Sequence, residues 1–331
     1  MRNKRLQNRI TAGRFTLPAA IVLSLFGWTL TSVLLPEAPP LEGGYSLWEI
    51  VSSYIPAWAN APLSFILCGL IGYFLIELNN TFAIIRMRAS VQTSIYFLLM
   101  AVCPALHQLH AGDVASIAFL ISLFFLFQGY QHTRPEGPLF YSFLFIGAGS
   151  LFFPQLTLFI PLFWIGAYSF QALTLKSIFG SLTGWCLPYW FLFGHAYFHE
   201  KMELFYQPFL ELVHFHPVTF SGFPLWEAVT LAYLFVVFAV SSVHCLVAGY
   251  DDKIRTRSYL QFLIFLSLCI FGYILLQPAL TIHLLPLLLM GVSILAGHFV
   301  VLTNSRASNV FFICALAALV LLFGFNLWTL L

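Results

Sequence analysis

A polytopic bundle of transmembrane helices, all-α, is the fold class this sequence predicts, and three observations predict it. Hydrophobic residues make up 60% of the 331 positions and charged residues only 8%, with a mean hydropathy of +0.91. A water-soluble domain needs about a quarter of its residues charged, so that class is excluded. Apolar runs recur to the last residues, each about 20 residues long, enough at 1.5 Å per residue to cross roughly 30 Å of hydrocarbon. Thirdly, when those runs are taken as spans, 13 of the 14 Lys and Arg fall on one side, and Lys201 alone falls on the other. That is the positive-inside bias, which fixes an orientation as well as a class. The runs are continuous and rich in Leu, Phe and Ile, without the alternation of barrel strands, so the spans are helices.

The elements follow in order. Residues 1–16 form a basic cytoplasmic N-terminus holding Arg2, Lys4, Arg5, Arg9 and Arg14, and residues 17–331 form a single transmembrane domain. The first span covers residues 17–35; its length and the lack of an Ala-x-Ala site mark an uncleaved span rather than a signal peptide. An outer loop, about 36–62, carries Glu37, Glu42 and Glu49 with Trp48, Tyr54 and Trp58, and residues 46–54 read as an amphipathic helix in the membrane interface. Spans at 62–78, 91–106 and 114–130 alternate between Arg86 and Arg88 inside, His107–Asp113 outside and Arg134 inside. Residues 139–153 and 155–174 read as a helical pair broken at Phe153-Pro154, the first short and interrupted by Gly147 and Gly149. A span at 177–198 exits to a second outer loop, about 199–224, in which Met202, Phe205, Phe209, Leu212 and Val213 mark another interfacial helix. Spans at 225–249, 259–277, 281–302 and 309–328 complete the chain, with Lys253, Arg255, Arg257 and Arg306 inside. The expected total is eleven spans, or nine to ten if the pair around Pro154 does not cross fully. The localisation expected is a bacterial inner membrane, the partners are membrane lipids, and a net charge of +2 gives no reason to expect nucleic acid.

The acids are distributed unlike the bases. Glu37, Glu42, Glu49, Asp113, Glu200, Glu203, Glu211 and Glu227 map to the outer face, together with His107, His110, His195, His199, His214 and His216. Carboxylates and imidazoles in that number can bind a divalent metal, move protons or activate a hydroxyl. The same distribution also follows from a topology rule that excludes mainly Lys and Arg. Three groups stand out. If helical, His107-x-x-His110-x-x-Asp113 gathers its side chains on one broad face suited to a metal or a proton relay, although a short polar turn accounts for them without chemistry. His195-x-x-x-His199-Glu200 has the i, i+4 spacing of a shared metal, but not the His-Glu-x-x-His order. His214-x-His216 ends the second interfacial stretch. Ionisable residues inside spans are few, with His298 the deepest, and no chain of buried carboxylates crosses the membrane, which argues against a proton pump or ion channel. The six cysteines all fall in spans without Cys-x-x-Cys spacing and read as small apolar packing residues.

The middle of the chain is punctuated by Cys103-Pro104-Ala105, by Gly147 through Phe153-Pro154, by Pro161-Leu162-Phe163-Trp164, and by Gly184 with Leu187-Pro188-Tyr189. In this it resembles an uncharacterised family of polytopic inner-membrane proteins of Bacteroidetes, over roughly residues 80 to 200. In architecture the chain is also similar to the GT-C glycosyltransferases, which use polyprenyl-phosphate-linked sugars. That likeness implies an enzyme of envelope biogenesis acting at the outer face. A first-loop acid, Glu37 or Glu42, would then be the general base on an acceptor hydroxyl, and Asp113 would help hold a divalent metal or the acceptor. His107, His110, His195, His199 and Lys201 would bind substrate, with Lys201 and the histidines the only cationic candidates for a lipid phosphate. No Asp-x-Asp signature is present. The alternative is a non-catalytic scaffold, or a lipid or solute translocator, of an envelope assembly system.

Overall fold

The computed structural model describes residues 6–35, 46–85, 90–213, 215, 223–247, 249 and 252–331. Among these residues there are fourteen α-helices and no strand: α1 (Leu6–Thr11), α2 (Thr16–Leu34), α3 (Ser46–Ser53), α4 (Ala57–Phe82), α5 (Val91–Ala101), α6 (Ala111–Gln128), α7 (Glu136–Ser150), α8 (Ile160–Ser169), α9 (Leu175–Phe198), α10 (Glu203–Val213), α11 (Leu225–Val247), α12 (Ile254–Leu276), α13 (Thr281–Leu302) and α14 (Arg306–Leu330). Short 3-10 turns at Pro104–His107, Pro154–Phe159 and Pro278–Leu280 each begin on a proline, whose fixed φ suits a first helical position. Seven helices are long and apolar enough to cross a membrane: α2, α4, α6, α11, α12, α13 with its preceding turn, and α14. The chain is therefore a multi-pass membrane protein. Helix α9 has the length, 24 residues, but carries Ser, Thr, Gly, Tyr and His among its apolar residues. Helices α5, α7 and α8 are shorter, at 11, 15 and 10 residues. The break at Phe153-Pro154 falls between α7 and the 3-10 turn that leads into α8.

The helices group into two compact units. Unit 1 takes residues 1–39, 61–109 and 218–331, and unit 2 takes residues 40–60 and 110–217. Unit 1 is built around α13, 94% of whose apolar window is buried, with α5, α11 and α12 packed against it. A helix apolar on every side is stable only when other helices surround it, as here. The cytoplasmic segment of the sequence reading contains α1, which docks through one side chain. Gln7 is fully buried: its Nε2 donates to the Val300 carbonyl at 2.7 Å, and its Oε1 accepts from the Ser308 hydroxyl at 3.0 Å. Its backbone N–H reaches Asn309 Oδ1 at 3.1 Å.

These contacts sort unit 1 into two ends. At one end lie α1, the end of α13, the start of α14, and the α11–α12 turn, which meets α13 through Asp252 and His298. Arg9, Lys253, Arg255, Arg257 and Arg306 belong to those segments. At the other end Asn326, near the end of α14, donates to the Val102 carbonyl at 2.8 Å and to the Thr230 hydroxyl at 3.0 Å. Glu227, at the start of α11, meets Thr281 at the start of α13 there.

Unit 2 is a layer of α6, α7, α8 and α9, with α10 and α3 beside it. Glycine sets the closest crossing. A Cβ on Gly147 of α7 would lie 2.6 Å from the Trp185 carbonyl oxygen, and one on Gly184 of α9 would collide with the Phe140 carbonyl oxygen. Small residues on both helices let the backbones touch, which is how helices gain van der Waals contact where lipid is as apolar as leucine. Between α6 and α7 the hydroxyls of Ser122 and Ser142 each donate to the other's carbonyl, at 2.7 and 2.9 Å. Between α8 and α9 the Trp164 indole N–H donates to Ser181 Oγ at 3.0 Å.

Candidate functional site

A continuous helix after α5 would gather His107, His110 and Asp113 on one face, whereas a short polar turn would account for them without chemistry. Each is committed to a structural partner. His107 ends the 3-10 turn, 1% exposed, with its ring stacked on the Trp28 indole at a centroid distance of 3.8 Å. Its Nε2 lies 3.2 Å from the Met100 carbonyl and its Nδ1 2.9 Å from the Thr31 hydroxyl. With N–H at Nε2 the ring donates to the Met100 carbonyl, and Nδ1 accepts from the Thr31 hydroxyl when that proton turns from the Gly27 carbonyl it also reaches at 2.9 Å. Burial lowers its pKa from 6.5 to about 3, so the ring stays uncharged and is no cationic partner for a phosphate.

His110 and Asp113 close the N-terminus of α6 as a reciprocal capping box. His110 Nδ1 accepts from the Asp113 backbone N–H at 3.1 Å, and Asp113 Oδ2 accepts from the His110 backbone N–H at 3.2 Å. The pair is 0% and 2% exposed. A helix N-terminus leaves amide donors unsatisfied, and a carboxylate is favoured there. Glu37 and Glu42, with His214 and His216, lie outside the described residues. Glu49 is exposed on α3. Among the described residues no group of three or more His, Cys, Asp and Glu is disposed to hold a metal ion.

The other predicted group comes together at the end of α9. The His195 and His199 rings stand 4.4 Å apart, both exposed. The helix then ends in a Schellman turn: the Lys201 N–H reaches the Ala196 carbonyl at 2.9 Å, the Glu200 N–H reaches Tyr197 at 3.2 Å, and Glu200 takes a left-handed φ of 55°. This turn sends the exposed Lys201 out at the corner where α10 begins.

Helix α10 has three stripes. Glu203, Gln207 and Glu211 form a polar row, with the Gln207 amide donating to Glu211 at 3.0 Å. Tyr206, Leu210 and Val213 are exposed, as befits a face against lipid. Phe205 and Phe209 turn toward α9, at 5.3 Å from Phe193 and 5.1 Å from Tyr189 respectively. Beneath them an open groove of about 630 Å³ runs along α9, with Trp185, Trp190 and Phe140 in its walls and almost no polar surface. It leads from the middle of α9 toward α10, whose first residues follow Lys201, and the two exposed imidazoles stand at that end of α9.

The geometry can take a long apolar chain along the groove and an anionic headgroup at the corner. Sequence reading found the amphipathic stretch and the corner's charges, but not the groove. Its walls come from α7, α9 and α10, and only a surplus of aromatic residues at 185–209 marked it. Compared with family models, curated proteins and solved structures, the chain matches none.

Proposed function

We propose that this chain is an inner-membrane protein of envelope biogenesis that holds a polyprenyl-phosphate-linked sugar at the outer face. In this reading its N-terminus is cytoplasmic and it crosses about eleven times, α7 and the α8 segment included. The observation that carries the reading is the aromatic groove of α9 and α10, together with Lys201 in the turn that joins those two helices. A polyprenyl tail is a stack of branched apolar units that suits aromatic walls, and its phosphate needs a cation, which Lys201 supplies with His195 and His199 beside it. The gathering of basic residues at one end of unit 1 supports the orientation. Transfer in the GT-C manner would use Glu37 or Glu42 as the base, with Asp113 fixing the neighbouring turn through its cap on α6. The engagement of His107, His110 and Asp113 in structural contacts favours a second reading, in which the protein binds or moves the lipid without transferring the sugar.

The test uses the full-length protein in nanodiscs and the fluorescence of Trp185 and Trp190, with geranylgeranyl phosphate as the probe. Saturable quenching is expected, about tenfold tighter than for geranylgeraniol, since a hydrogen bond to a charged group contributes about 1.5 kcal/mol or more. Lys201→Gln should erase the preference for phosphate, and Phe205→Ala should weaken both ligands. Equal affinity for phosphate and alcohol would remove the basis of the proposal. If binding holds while Glu37→Gln and Glu42→Gln both rescue a deletion strain fully, the second reading replaces transfer.

A further inference from the structure

Four segments far apart in the sequence meet at the end of unit 1 away from its basic residues. Glu227, in the first turn of α11, is 5% exposed, and Asn326 of α14 is fully buried. The Asn326 amide nitrogen already serves the Val102 carbonyl, just past the end of α5, and the Thr230 hydroxyl, one turn on from Glu227. A carbonyl can only accept, so the orientation of that amide is fixed. Its oxygen, Oδ1, is buried and has no hydrogen-bond donor among the described residues. The same is true of Glu227 Oε2. The carboxylate meets the Thr281 hydroxyl at the start of α13, but that hydroxyl's single proton also points to the Pro278 carbonyl at 2.6 Å. The Cys103 thiol, next to Val102, lies close enough to feel the Glu227 charge.

A buried carboxylate is costly unless a positive charge or several donors compensate it. No described Lys or Arg stands at this end; those of unit 1 belong to α1 and the turn after it, to residues 253–257 and to the start of α14. The first turn of α11 favours the ionised acid, because the positive end of the helix dipole lies there. A bound cation answers three features together: the carboxylate, the donorless Asn326 oxygen, and the C-terminus of α5, whose carbonyls form the negative end of its dipole. One acid among neutral oxygens balances a single positive charge, and carboxylate and carboxamide oxygens suit a hard ion. An opening of about 370 Å³ lies at the same end. Its walls include Leu225 and Trp226, which precede Glu227, and Trp328 and Thr329, which follow Asn326. We infer that this end of unit 1 is a sodium site, with Glu227 Oε2 and Asn326 Oδ1 as its side-chain ligands. Water entering by the opening completes the shell, since small hard cations keep part of their hydration. The ion ties α11 to α14, and without it the buried charge is uncompensated. The site is separate from the aromatic groove and does not depend on what that groove binds.

The experiment measures equilibrium binding of radioactive sodium to the full-length protein in detergent, by scintillation proximity. Saturable binding of one ion per chain is expected, displaced by unlabelled sodium chloride but not by choline chloride at the same ionic strength. Potassium, a larger ion, should compete less well. Glu227→Gln keeps the shape and removes the charge, so binding should weaken by about a hundredfold or more, the scale set by removing one member of a buried ion pair. The thermal midpoint of the wild-type protein should rise with sodium, and that of Glu227→Gln should not respond. Glu49→Gln, at an exposed acid on α3, should bind as the wild type does. Absence of saturable binding, displacement by choline or potassium as strong as by sodium, or unchanged binding in Glu227→Gln would each overturn the inference. A wild-type midpoint that responds to acid but not to sodium would overturn it too, because a proton alone would then occupy Glu227. The wild-type measurements need no variant, so a substitution that fails to fold leaves the test intact.

Discussion

His107 shows how a residue type that advertises chemistry can serve packing instead. The i, i+3, i+6 arithmetic that grouped it with His110 and Asp113 holds only on a continuous helix. The chain breaks that helix twice, with a 3-10 turn at Pro104–His107 and an extended His110 at φ −140° and ψ 167° before α6 starts. The sequence offered one sign of this, Pro104, and a His-x-x-Asp spacing that reads equally well as a cap. The neutral state of His107 has a measurable consequence. Its folded pKa of about 3 lies below the unfolded 6.5, so the unfolded chain binds more protons between those values. Stability is therefore complete above about pH 6.5 and declines as pH falls below it, with a limiting slope on the order of 1 kcal/mol per pH unit. Thermal unfolding of the purified protein from pH 7.5 to 4.5 should show that decline, and His107→Gln should flatten it relative to wild type. Parallel curves for the two proteins would contradict the burial of an uncharged ring.

At the scale of elements, spans were far easier to read than their ends. Runs of apolar residues placed α2, α4, α6, α9 and α11 to α14 within a few residues, because the hydrocarbon thickness sets a length that hydropathy reports directly. Helix ends follow local backbone geometry, and here the usual marker is missing. The left-handed residues at the described helix ends are Ala83, Gln131, Gln171 and Glu200, none of them glycine. The glycines went elsewhere, to the crossing of α7 and α9. Read from sequence, Gly147 made α7 look interrupted; in the fold it is what allows α9 to come near. Gly184→Leu should therefore cost about 1–3 kcal/mol or more, seen as a lower thermal midpoint in detergent. Gly194→Leu on the same helix is the control, since a Cβ there meets nothing within 4 Å. Equal midpoints for the two variants would refute the close crossing.

On the scale of the whole molecule, the sequence carried the class but not the grouping of helices. Which spans share a unit depends on contacts between residues as distant as Gln7 and Val300, and hydropathy is blind to them. It was equally blind to the meeting of Cys245, Asp252 and His298, in which the imidazole lies 3.5 Å from the thiol and 3.2 Å from the carboxylate. The orientation proposed above rests on the cations, and it can be tested directly. Unit 2 holds Arg134 and Lys176 in the turns on either side of α7 and α8, while Lys201 stands at the far end of α9. Reporter fusions after Met87 and Gly249 should be active only in the cytoplasm, and one after Lys201 only in the periplasm. A periplasmic signal from either of the first two would reverse the orientation.

The docking of α1 also sets an order of events during synthesis. Its partners on α13 and α14 are made almost 300 residues later, and unit 2 is translated in between. The first short helix must therefore wait, its amide and carboxamide groups solvated, until the final hairpin arrives. Unit 2, continuous from residue 110 to 217 apart from one small segment, has no such wait. A nascent chain stalled before α14 would thus carry an assembled unit 2 and an incomplete unit 1.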